Sequence, residues 1–324
     1  MTELSQFDRL DLSIEKLLAR RDSLPPAADP ALAPLVHIAA ALRDLPREGF
    51  RLRLKSDLER EARMLTATVK FIPEGFRTIT PYLAVREAPE LLAFVKQAFG
   101  AQETYRGTGS AGGMHAQVRI GDSMLMIGGG PQLQGAPMPT SLWMYVEDAD
   151  AVYASALRAG AKMISAPVDQ PYGDREAGVT DLAGNQWYIS THKGRSHVRE
   201  GMHSVNLYLH PAGAGKLIEF LERGFGAQVI ERHNAPDGTL VHANVRIGSS
   251  QMGMSESRES YPNMPTAIYM YVPDVDATYQ RALEAGAEAL FPPADKPYGD
   301  RSCGVRDACG NHWYIATHIR DVAP

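Results

Sequence analysis

The chain has 324 residues, of which 44% are hydrophobic and 22% charged, and its formal net charge is −5. These values are ordinary for globular proteins, and the slight acidity gives no electrostatic basis for binding nucleic acid or an anionic membrane. The first residues show no secretion signal, no run reaches the roughly 18 apolar residues of a membrane span, and Cys303 and Cys309 are too few for a disulfide framework. We therefore expect a cytoplasmic protein without a nucleic-acid or membrane partner.

Residues 1–72 differ from the rest of the chain. Runs of apolar residues at roughly helical spacing alternate with proline-rich turns, which predicts a helical N-terminal extension. Basic and acidic residues alternate between Arg47 and Glu61, a pattern typical of a solvated helix face, with a polyanion site as the alternative. An exposed apolar stripe over residues 35–58 would instead favour docking of a protein partner.

From residue 76 onward, short strand patterns alternate with amphipathic helix patterns. The first module is predicted as a strand, a helix and three strands, at residues 77–85, 88–99, 103–106, 114–120 and 123–127. A second module repeats this order at residues 141–146, 149–159, 162–166, 176–180 and 186–191. The order of elements is therefore βαβββ in both modules.

The second half of the chain repeats the first. The segment Pro-Tyr-Gly-Asp-Arg at 171–175 returns at 297–301, and Trp187 returns as Trp313, with an offset of 126 residues in both cases. A fixed offset within one chain indicates a duplication. The predicted fold class is α+β, a tandem repeat of βαβββ modules that form paired-module half-barrel domains. The two domains are predicted at residues 76–194 and 201–320.

Several motifs occur in both halves. In the first half they are Thr80–Leu83, His115–Ser123, Tyr172–Arg175 and Asp181–Trp187. With four βαβββ modules, these motifs resemble the vicinal oxygen chelate superfamily of glyoxalases, bleomycin-resistance proteins and dioxygenases, and within it the PhnB-like branch. The resemblance implies half-open barrels with helices outside and a ligand cavity inside. Because most members pair such domains across a dimer, it also implies an intramolecular pseudo-dimer, to which further copies could add.

Strand alternation then sorts each strand into a face under the helices and a face that points into the cavity. The inward positions are rich in aromatic and polar side chains, which suit a small organic ligand. The predicted ligand-binding residues are Thr80, Tyr82, His115, Trp143, Tyr145, Tyr188, Asn206, Tyr208, His242, Gln251, Tyr269, Tyr271, His312 and Tyr314. The second domain is predicted to hold the more polar cavity, with contacts from Asn206, His242, Gln251 and His312.

The resemblance also implies where a metal would be held, namely by His, Gln or Glu on the first, fourth, fifth and eighth strands of a domain. In the first domain these positions carry Thr80, Met124 or Met126, Ser141 and Tyr188. In the second domain they carry Asn206, Gln251, Ala267 and Tyr314. A divalent cation needs several nitrogen or anionic oxygen ligands. We therefore predict no metal site and no cofactor.

His115 and His242 are the remaining catalytic candidates. Each could act as a general base or bind an anion near neutral pH, or it could be a hydrogen-bonded residue that closes the wall of the barrel. The Asp-Arg pairs at 174–175 and 300–301 could clamp an anion or hold the preceding Tyr-Gly loop.

The sequence thus favours a protein that binds a small aromatic or amphipathic molecule in a metal-free cavity, for sequestration or sensing. One alternative is a metal-independent lyase, isomerase or hydrolase with His115 or His242 as general base. Another is a ligand-sensing regulator whose helical N-terminal region docks a protein partner.

Overall fold

The structure is a computed structural model that describes residues 70–109, 112–131, 133 and 135–322. The helical extension predicted over 1–72 lies outside the described residues apart from 70–72, and so do the docking stripe and polyanion site considered for residues before 62. The residues from Lys70 onward form one compact unit. Among the helices described, none is both long enough and apolar enough to cross a membrane.

The first half of the described chain contains two modules. The first module contains β1 (Ile79–Val85), α1 (Ala88–Phe99), β2 (Gln102–Thr108), β3 (Met114–Ile120) and β4 (Ser123–Gly129). The second module contains β5 (Ser141–Tyr145), α2 (Ala149–Arg158), β6 (Lys162–Asp169), β7 (Asp174–Thr180) and β8 (Gln186–His192). The predicted order is confirmed, although β7 begins at Asp174, earlier than the sequence pattern indicated.

The second half repeats this organisation. The third module contains β9 (Val205–Leu209), α3 (Ala214–Phe225), β10 (Gln228–Asn234), β11 (Leu240–Ile247) and β12 (Ser250–Met254). The fourth contains β13 (Ala267–Tyr271), α4 (Val275–Glu284), β14 (Glu288–Asp295), β15 (Asp300–Arg306) and β16 (His312–His318). The α+β tandem of βαβββ modules is therefore confirmed.

The helix ends follow from local sequence. Gly100 and Gly226 cap the C-terminal ends of α1 and α3, and their φ angles of 66° and 67° lie in the left-handed region that glycine adopts without steric cost. Asp148 and Asp274 are the N-cap residues of α2 and α4, and each carboxylate accepts a hydrogen bond from the backbone N–H three residues further on.

Each of the two eight-stranded sheets draws on both halves of the chain. Sheet A has the order β14-β15-β16-β13-β1-β4-β3-β2, and sheet B has the order β10-β11-β12-β9-β5-β8-β7-β6. The first module therefore shares a sheet with the fourth, and the second shares a sheet with the third. At the two antiparallel seams Thr80 lies opposite Tyr269, and Trp143 lies opposite Asn206. The sequence does not determine whether a cavity is built by one half of the chain or by both. The strand order shows that each sheet contains strands from both halves.

The two modules within each half of the chain meet through their helices instead of their strand edges. Helix α1 packs against α2, and α3 packs against α4. Thr80 and Ser141, predicted at metal-ligand positions of one domain, lie on different sheets. Alternation determines which face of a strand is buried, and it contains no information about which module completes the sheet.

The main hydrophobic core lies between the helices and the sheet faces that they cover. Trp187 and Trp313 are fully buried there, with ring centroids 4.6 Å from Phe99 and 4.9 Å from Phe225. The opposite faces of sheets A and B, here called face A and face B, carry separate smaller clusters of aromatic side chains. The predicted sorting of each strand into a core side and a ligand side thus places most candidate residues on these two faces.

Candidate functional site

Face B carries a continuous group of aromatic side chains. The Trp143 indole stacks on Tyr145 with ring centroids 5.5 Å apart and meets the edge of Tyr208 at 5.6 Å. The Tyr208 ring lies 5.2 Å from His210 and 6.3 Å from Tyr188. The tryptophan and the three tyrosines occupy alternate positions of β5, β8 and β9, which are neighbours in sheet B, and His210 directly follows β9. Their side chains therefore project to the same side.

The loop after β12 extends this aromatic surface. Tyr261 stacks on His210 with centroids 5.0 Å apart, and the guanidinium of Arg258 lies 4.7 Å from the centre of the Tyr261 ring. Arg258 itself is exposed to solvent. The loop therefore adds one ring and one exposed cation to the edge of face B.

Asp174 projects from β7 onto face B and is fully buried. Its carboxylate accepts a hydrogen bond from the Tyr145 hydroxyl at 3.2 Å, lies 3.3 Å from the Arg199 guanidinium and lies 2.7 Å from His192 Nδ1. Burial, together with the charge of Asp174, raises the pKa of Tyr145. The charge of Asp174 is therefore balanced by the Arg199 guanidinium, and the carboxylate holds Tyr145, Arg199 and His192 in place.

Glu176 is the next residue of β7 on the same face. Its carboxylate accepts hydrogen bonds from Ser190 Oγ at 2.9 Å and from the Tyr172 hydroxyl at 3.1 Å, and Ser190 in turn accepts one from the Trp143 indole at 2.8 Å. Within the described part of the chain, no arginine or lysine nitrogen lies within 4.0 Å of the carboxylate. Burial raises the pKa of Glu176, and the two hydroxyl groups only partly offset this.

Three further polar side chains lie beside the rings. The Nδ1 atom of His242 is 3.0 Å from the Tyr208 hydroxyl, and burial lowers the pKa of His242. His210 contacts the Ser255 hydroxyl at 2.9 Å, and burial lowers the pKa of His210 to about 4. The Nε2 atom of His210 and the Oδ1 atom of Asn244 are buried and lack a hydrogen-bond partner among the residues described. Each such atom costs about 1–3 kcal/mol unless a partner is supplied.

Face A also carries aromatic rings and a buried aspartate, but it has fewer polar side chains than face B. The Tyr82 ring lies 5.7 Å from Tyr314 and 5.8 Å from His115, and burial lowers the pKa of His115. Asp300 accepts hydrogen bonds from the hydroxyls of Tyr269 at 2.9 Å and Tyr271 at 3.2 Å, as Asp174 accepts one from Tyr145. The polar groups of face B have apolar or smaller counterparts here. Glu176, Ser190 and His210 are replaced by Ser302, Ala316 and Ala84.

Gly253 takes the place that Met126 has in the first half of the chain. In the structure the ring of Tyr208 lies across Gly253, so that a Cβ atom at this position would collide with the ring. The volume is therefore occupied by an aromatic side chain of face B.

The predicted site residues divide among three places. Face A holds Tyr82, His115, Tyr269, Tyr271, His312 and Tyr314. Face B holds Trp143, Tyr145, Tyr188, Tyr208 and His242. Thr80, Asn206 and Gln251 line a crevice of about 10 Å³ between the starts of β1 and β9. The prediction that His242 and His312 share one cavity was wrong, because β11 belongs to sheet B and β16 to sheet A.

The crevice at the start of β1 and β9 does not serve as a ligand cavity, because its volume suits about one water molecule. The Asn206 side chain accepts a hydrogen bond from the His203 backbone N–H at 3.0 Å. It also donates to the carbonyls of His203 and Trp143 at 2.7 and 3.3 Å. Asn206 therefore joins β9 to β5 and has no free group for a ligand.

Sequence reasoning missed Glu176, His210, Arg199 and Tyr261. Alternation could have found the first two, because Glu176 follows Asp174 at a spacing of two and His210 continues the series from Tyr208. Arg199 and Tyr261 lie in connecting segments, where no periodic pattern shows the direction of a side chain.

The Asp-Arg motifs do not form an anion clamp. Asp174 points to face B, whereas the Arg175 guanidinium binds both carboxylate oxygens of Asp150 in the first turn of α2. Arg301 binds Asp276 in the first turn of α4 in the same way, at 2.6 and 2.7 Å. The arginines therefore tie a strand to a helix on the outer side of each sheet.

Strand order also regroups the positions at which the superfamily resemblance implies metal ligands. Sheet A brings together Thr80, Met124 or Met126, Ala267 and Tyr314, and sheet B brings together Asn206, Gln251, Ser141 and Tyr188. Neither group contains a carboxylate or an imidazole, so these donor sets do not fit a divalent cation. In the described ranges, no three His, Cys, Asp or Glu side chains lie in an arrangement that could hold a metal.

Comparison with known proteins places this geometry in a family. The model of the Glyoxalase/Bleomycin resistance protein/Dioxygenase superfamily matches residues 76–189 and 212–315. The chain belongs to this superfamily. It is 34% identical over 148 residues to an uncharacterised protein of Mycobacterium tuberculosis strain H37Rv, covering 40% of this chain and 86% of that protein. A second uncharacterised protein, from Mycobacterium bovis, is 37% identical over 120 residues, covering 34% of this chain and 79% of the relative.

Solved structures of the superfamily share the fold. Glyoxalase I from Zea mays superimposes with a TM-score of 0.58 at 13% sequence identity, covering 75% of this chain and 92% of the maize chain. A dioxygenase-like protein from Bacillus subtilis gives a TM-score of 0.51 at 14% identity, covering 75% and 84% of the two chains. At these identities the likeness concerns the fold and does not extend to the reaction.

Proposed function

We propose that this superfamily member binds a small aromatic or amphipathic molecule on face B without a metal ion, and thereby sequesters or senses it. The observation that carries the proposal is a continuous aromatic surface that contains two buried polar atoms, His210 Nε2 and Asn244 Oδ1, for which the described residues supply no hydrogen-bond partner. Aromatic rings with few convergent polar groups are the usual lining of small-molecule sites. Assignment to the PhnB-like branch and a cytoplasmic location stay predictions.

Face B supports this proposal better than face A does. The polar groups on face B include Glu176, Ser190 and His210. At the equivalent positions of face A, 126 residues later, Glu176 is replaced by Ser302 and Ser190 by Ala316. Tyr172, beside Glu176, is 48% exposed, so the edge of face B is open to solvent there. A ligand that enters at this edge meets rings first and hydrogen-bonding groups behind them.

Mass spectrometry of small molecules released from the purified protein, followed by calorimetry, tests the proposal. We expect 2-naphthylmethanol, a neutral aromatic probe, to bind with a Kd in the micromolar to millimolar range, since rings supply most of the contact. His242→Gln should weaken the binding of this probe several-fold, because the imidazole lies 3.0 Å from the Tyr208 hydroxyl. The matched variant His115→Gln on face A should change the affinity less than about twofold.

Equal losses for the two histidine variants, or a loss for His115→Gln alone, would show that the ligand does not bind on face B. Elemental analysis of protein purified without a chelator or affinity tag provides a second check. About one equivalent of Zn, Ni, Mn or Fe per chain, lost when residues of face A or B are replaced, would contradict the metal-free part of the proposal.

A metal-independent enzyme is the second candidate. It is favoured by the lowered pKa of His242, which leaves the imidazole neutral near pH 7, and by the contact of its Nδ1 atom with Tyr208. A general base needs this protonation state. Conversion of a released natural ligand by the purified protein, lost in His242→Gln, would support this candidate over simple sequestration.

A further inference from the structure

Glu176 is the carboxylate of face B that has no carboxylate at the equivalent position on face A. Ser302 occupies the equivalent position on β15, and Ala316 occupies the position equivalent to Ser190. Both sheets nevertheless form with the same strand order and the same pattern of neighbours. The fold therefore does not require a carboxylate at this position, so we expect the role of Glu176 to lie in ligand binding.

The Glu176 carboxylate has a hydrogen-bond donor on each oxygen but no ion-pair partner within 4.0 Å among the described residues. Its oxygens accept from the neutral hydroxyls of Ser190 and Tyr172, and in the resolved ranges from 70 to 322 no arginine or lysine forms an ion pair with it. Asp174, two residues earlier, has the Arg199 guanidinium at 3.3 Å. The charge of Arg199 also acts to lower the pKa of Glu176, but the Arg199 guanidinium is paired with Asp174. A half-buried carboxylate without an ion-pair partner of its own is costly, and a cation that binds beside it removes much of that cost.

The rings around Glu176 are surfaces on which cations bind favourably. The Arg199 guanidinium already lies 5.8 Å from the centre of the Trp143 ring. On the paired strands β7 and β8, Glu176 lies opposite Ser190 and Tyr188 lies two residues before Ser190, so Tyr188 and Glu176 are diagonal neighbours on face B. The Tyr208 ring lies 6.3 Å from the Tyr188 ring. Electron-rich ring faces together with a carboxylate form a favourable environment for an ammonium group.

We propose that face B selects molecules that carry a positively charged nitrogen on an aromatic or apolar body, with the nitrogen paired to Glu176 and the body against Tyr188 and Tyr208. This inference rests on the proposed function and names the class of ligand. Arg258, the exposed cation at the edge of the same face, lies over Tyr261 in contact with solvent, where water and salt screen its repulsion.

Three probes that share one aromatic body and differ in charge test this proposal on the full chain. They are 2-naphthylmethylamine, which is protonated at pH 7, 2-naphthylmethanol, which is neutral, and 2-naphthoate, which is anionic. By calorimetry we expect the cation to bind about tenfold or more tightly than the alcohol, and the anion to bind least. In Glu176→Gln, which keeps the shape and the hydrogen-bond acceptor, the cation and the alcohol should differ by less than about twofold.

Glu147→Gln is the matched control, because it removes an exposed carboxylate in the loop between β5 and α2 and should keep the full preference for the cation. Equal affinity for the cation and the alcohol in the unaltered protein would overturn the proposal. So would tighter binding of the anion, or a preference that persists in Glu176→Gln. Each of these results leaves aromatic binding itself intact, whereas failure of all three probes to bind would contradict the proposed function and this inference together. The comparison of the three probes on the unaltered protein decides the matter even if Glu176→Gln folds poorly.

Discussion

The carboxyl group of Glu176 makes the stability of the folded protein dependent on pH. Burial raises the pKa of Glu176 above the value of 4.5 expected for an unperturbed glutamate. The folded chain therefore holds this proton more tightly than the unfolded chain. The resulting contribution to stability is fully present below the unfolded pKa and is lost as the pH rises through the folded pKa.

We accordingly expect Glu176→Gln to raise the melting temperature at pH 7 and to have little effect near pH 4. The gain should be on the order of 1 kcal/mol, or about 2–4 °C for a protein unit of this size, because the amide needs no counter-charge. Thermal unfolding followed by circular dichroism between pH 4 and pH 8 measures the difference. The groups that face Glu176 are Tyr172, Asp174, Tyr188, Ser190, Arg199 and Tyr208.

The tyrosines in this set should not titrate in the range measured, because burial raises the pKa of Tyr172 and that of Tyr188, and raises the pKa of Tyr208 to about 12. Glu147→Gln serves as the exposed control and should show no gain that depends on pH. A Glu176→Gln variant that is less stable at pH 7, or whose effect is constant across the range, would show that the carboxylate stabilises the ligand-free protein.

At the scale of the element, the turn between β7 and β8 is built around one buried aspartate. The Asp181 carboxylate accepts hydrogen bonds from the backbone of Ala183 and Asn185, from the Asn185 amide and from the Trp187 indole, at 2.9 to 3.0 Å. Gly184 completes the turn with a φ angle of 89°. The turn between β15 and β16 has the same bonds around Asp307. The motif from Asp181 to Trp187 is thus explained by turn geometry and core packing.

Replacement of either aspartate by alanine should lower the free energy of unfolding by about 3 kcal/mol or more, because several buried donors lose their acceptor at once. Asp181→Asn and Asp307→Asn keep one acceptor oxygen and should cost less. Chemical denaturation gives the free energies, and the exposed Glu259→Ala serves as the control. A loss below about 1 kcal/mol in both alanine variants would show that water replaces the carboxylate.

The elements themselves could be predicted from sequence, because apolar spacing distinguishes α1 from β1 and repeats in each module. The face of each strand was also predictable, as the burial of Trp187 shows. Sheet composition was not predictable, since the edges of β1 and β5 carry similar alternating patterns and either could pair with β9 or β13. The site was therefore assembled by sequence half, which separated Tyr208 from Trp143 although their rings are 5.6 Å apart.

At the scale of the whole molecule, the two seams make each half of the chain incomplete. Strand β1 pairs with β13 in sheet A, and β5 pairs with β9 in sheet B, so neither sheet forms without both halves. A half on its own exposes the edges of two strands and the surfaces that flank them. Unpaired edges of this kind associate readily with other strands.

We expect residues 76–200 and 201–324, produced separately, not to fold as stable monomers. Each should be insoluble, unfolded or dimeric, since two copies of one half could pair equivalent modules, and co-expression should restore a complex of both. Size-exclusion chromatography and thermal unfolding measure these outcomes. Two soluble monomers that each melt at the temperature of the full chain would show that the seams contribute little.

Cleavage of the intact protein in the connection between β8 and β9 provides the complementary test. Residues 193–196 are exposed there, so a protease site inserted at this point should be cut while the fragments stay associated through both sheets.

A single chain that carries both copies of the module pair also changes what mutation can do. In a homodimer built from one such pair, a gene encodes each position once, and every substitution appears on both symmetry-related surfaces. Here the codons for Glu176 and Ser302 are separate, so a residue that would be costly on one surface can arise on the other alone. Fusion of the copies therefore permits one surface to specialise while its twin preserves the original packing.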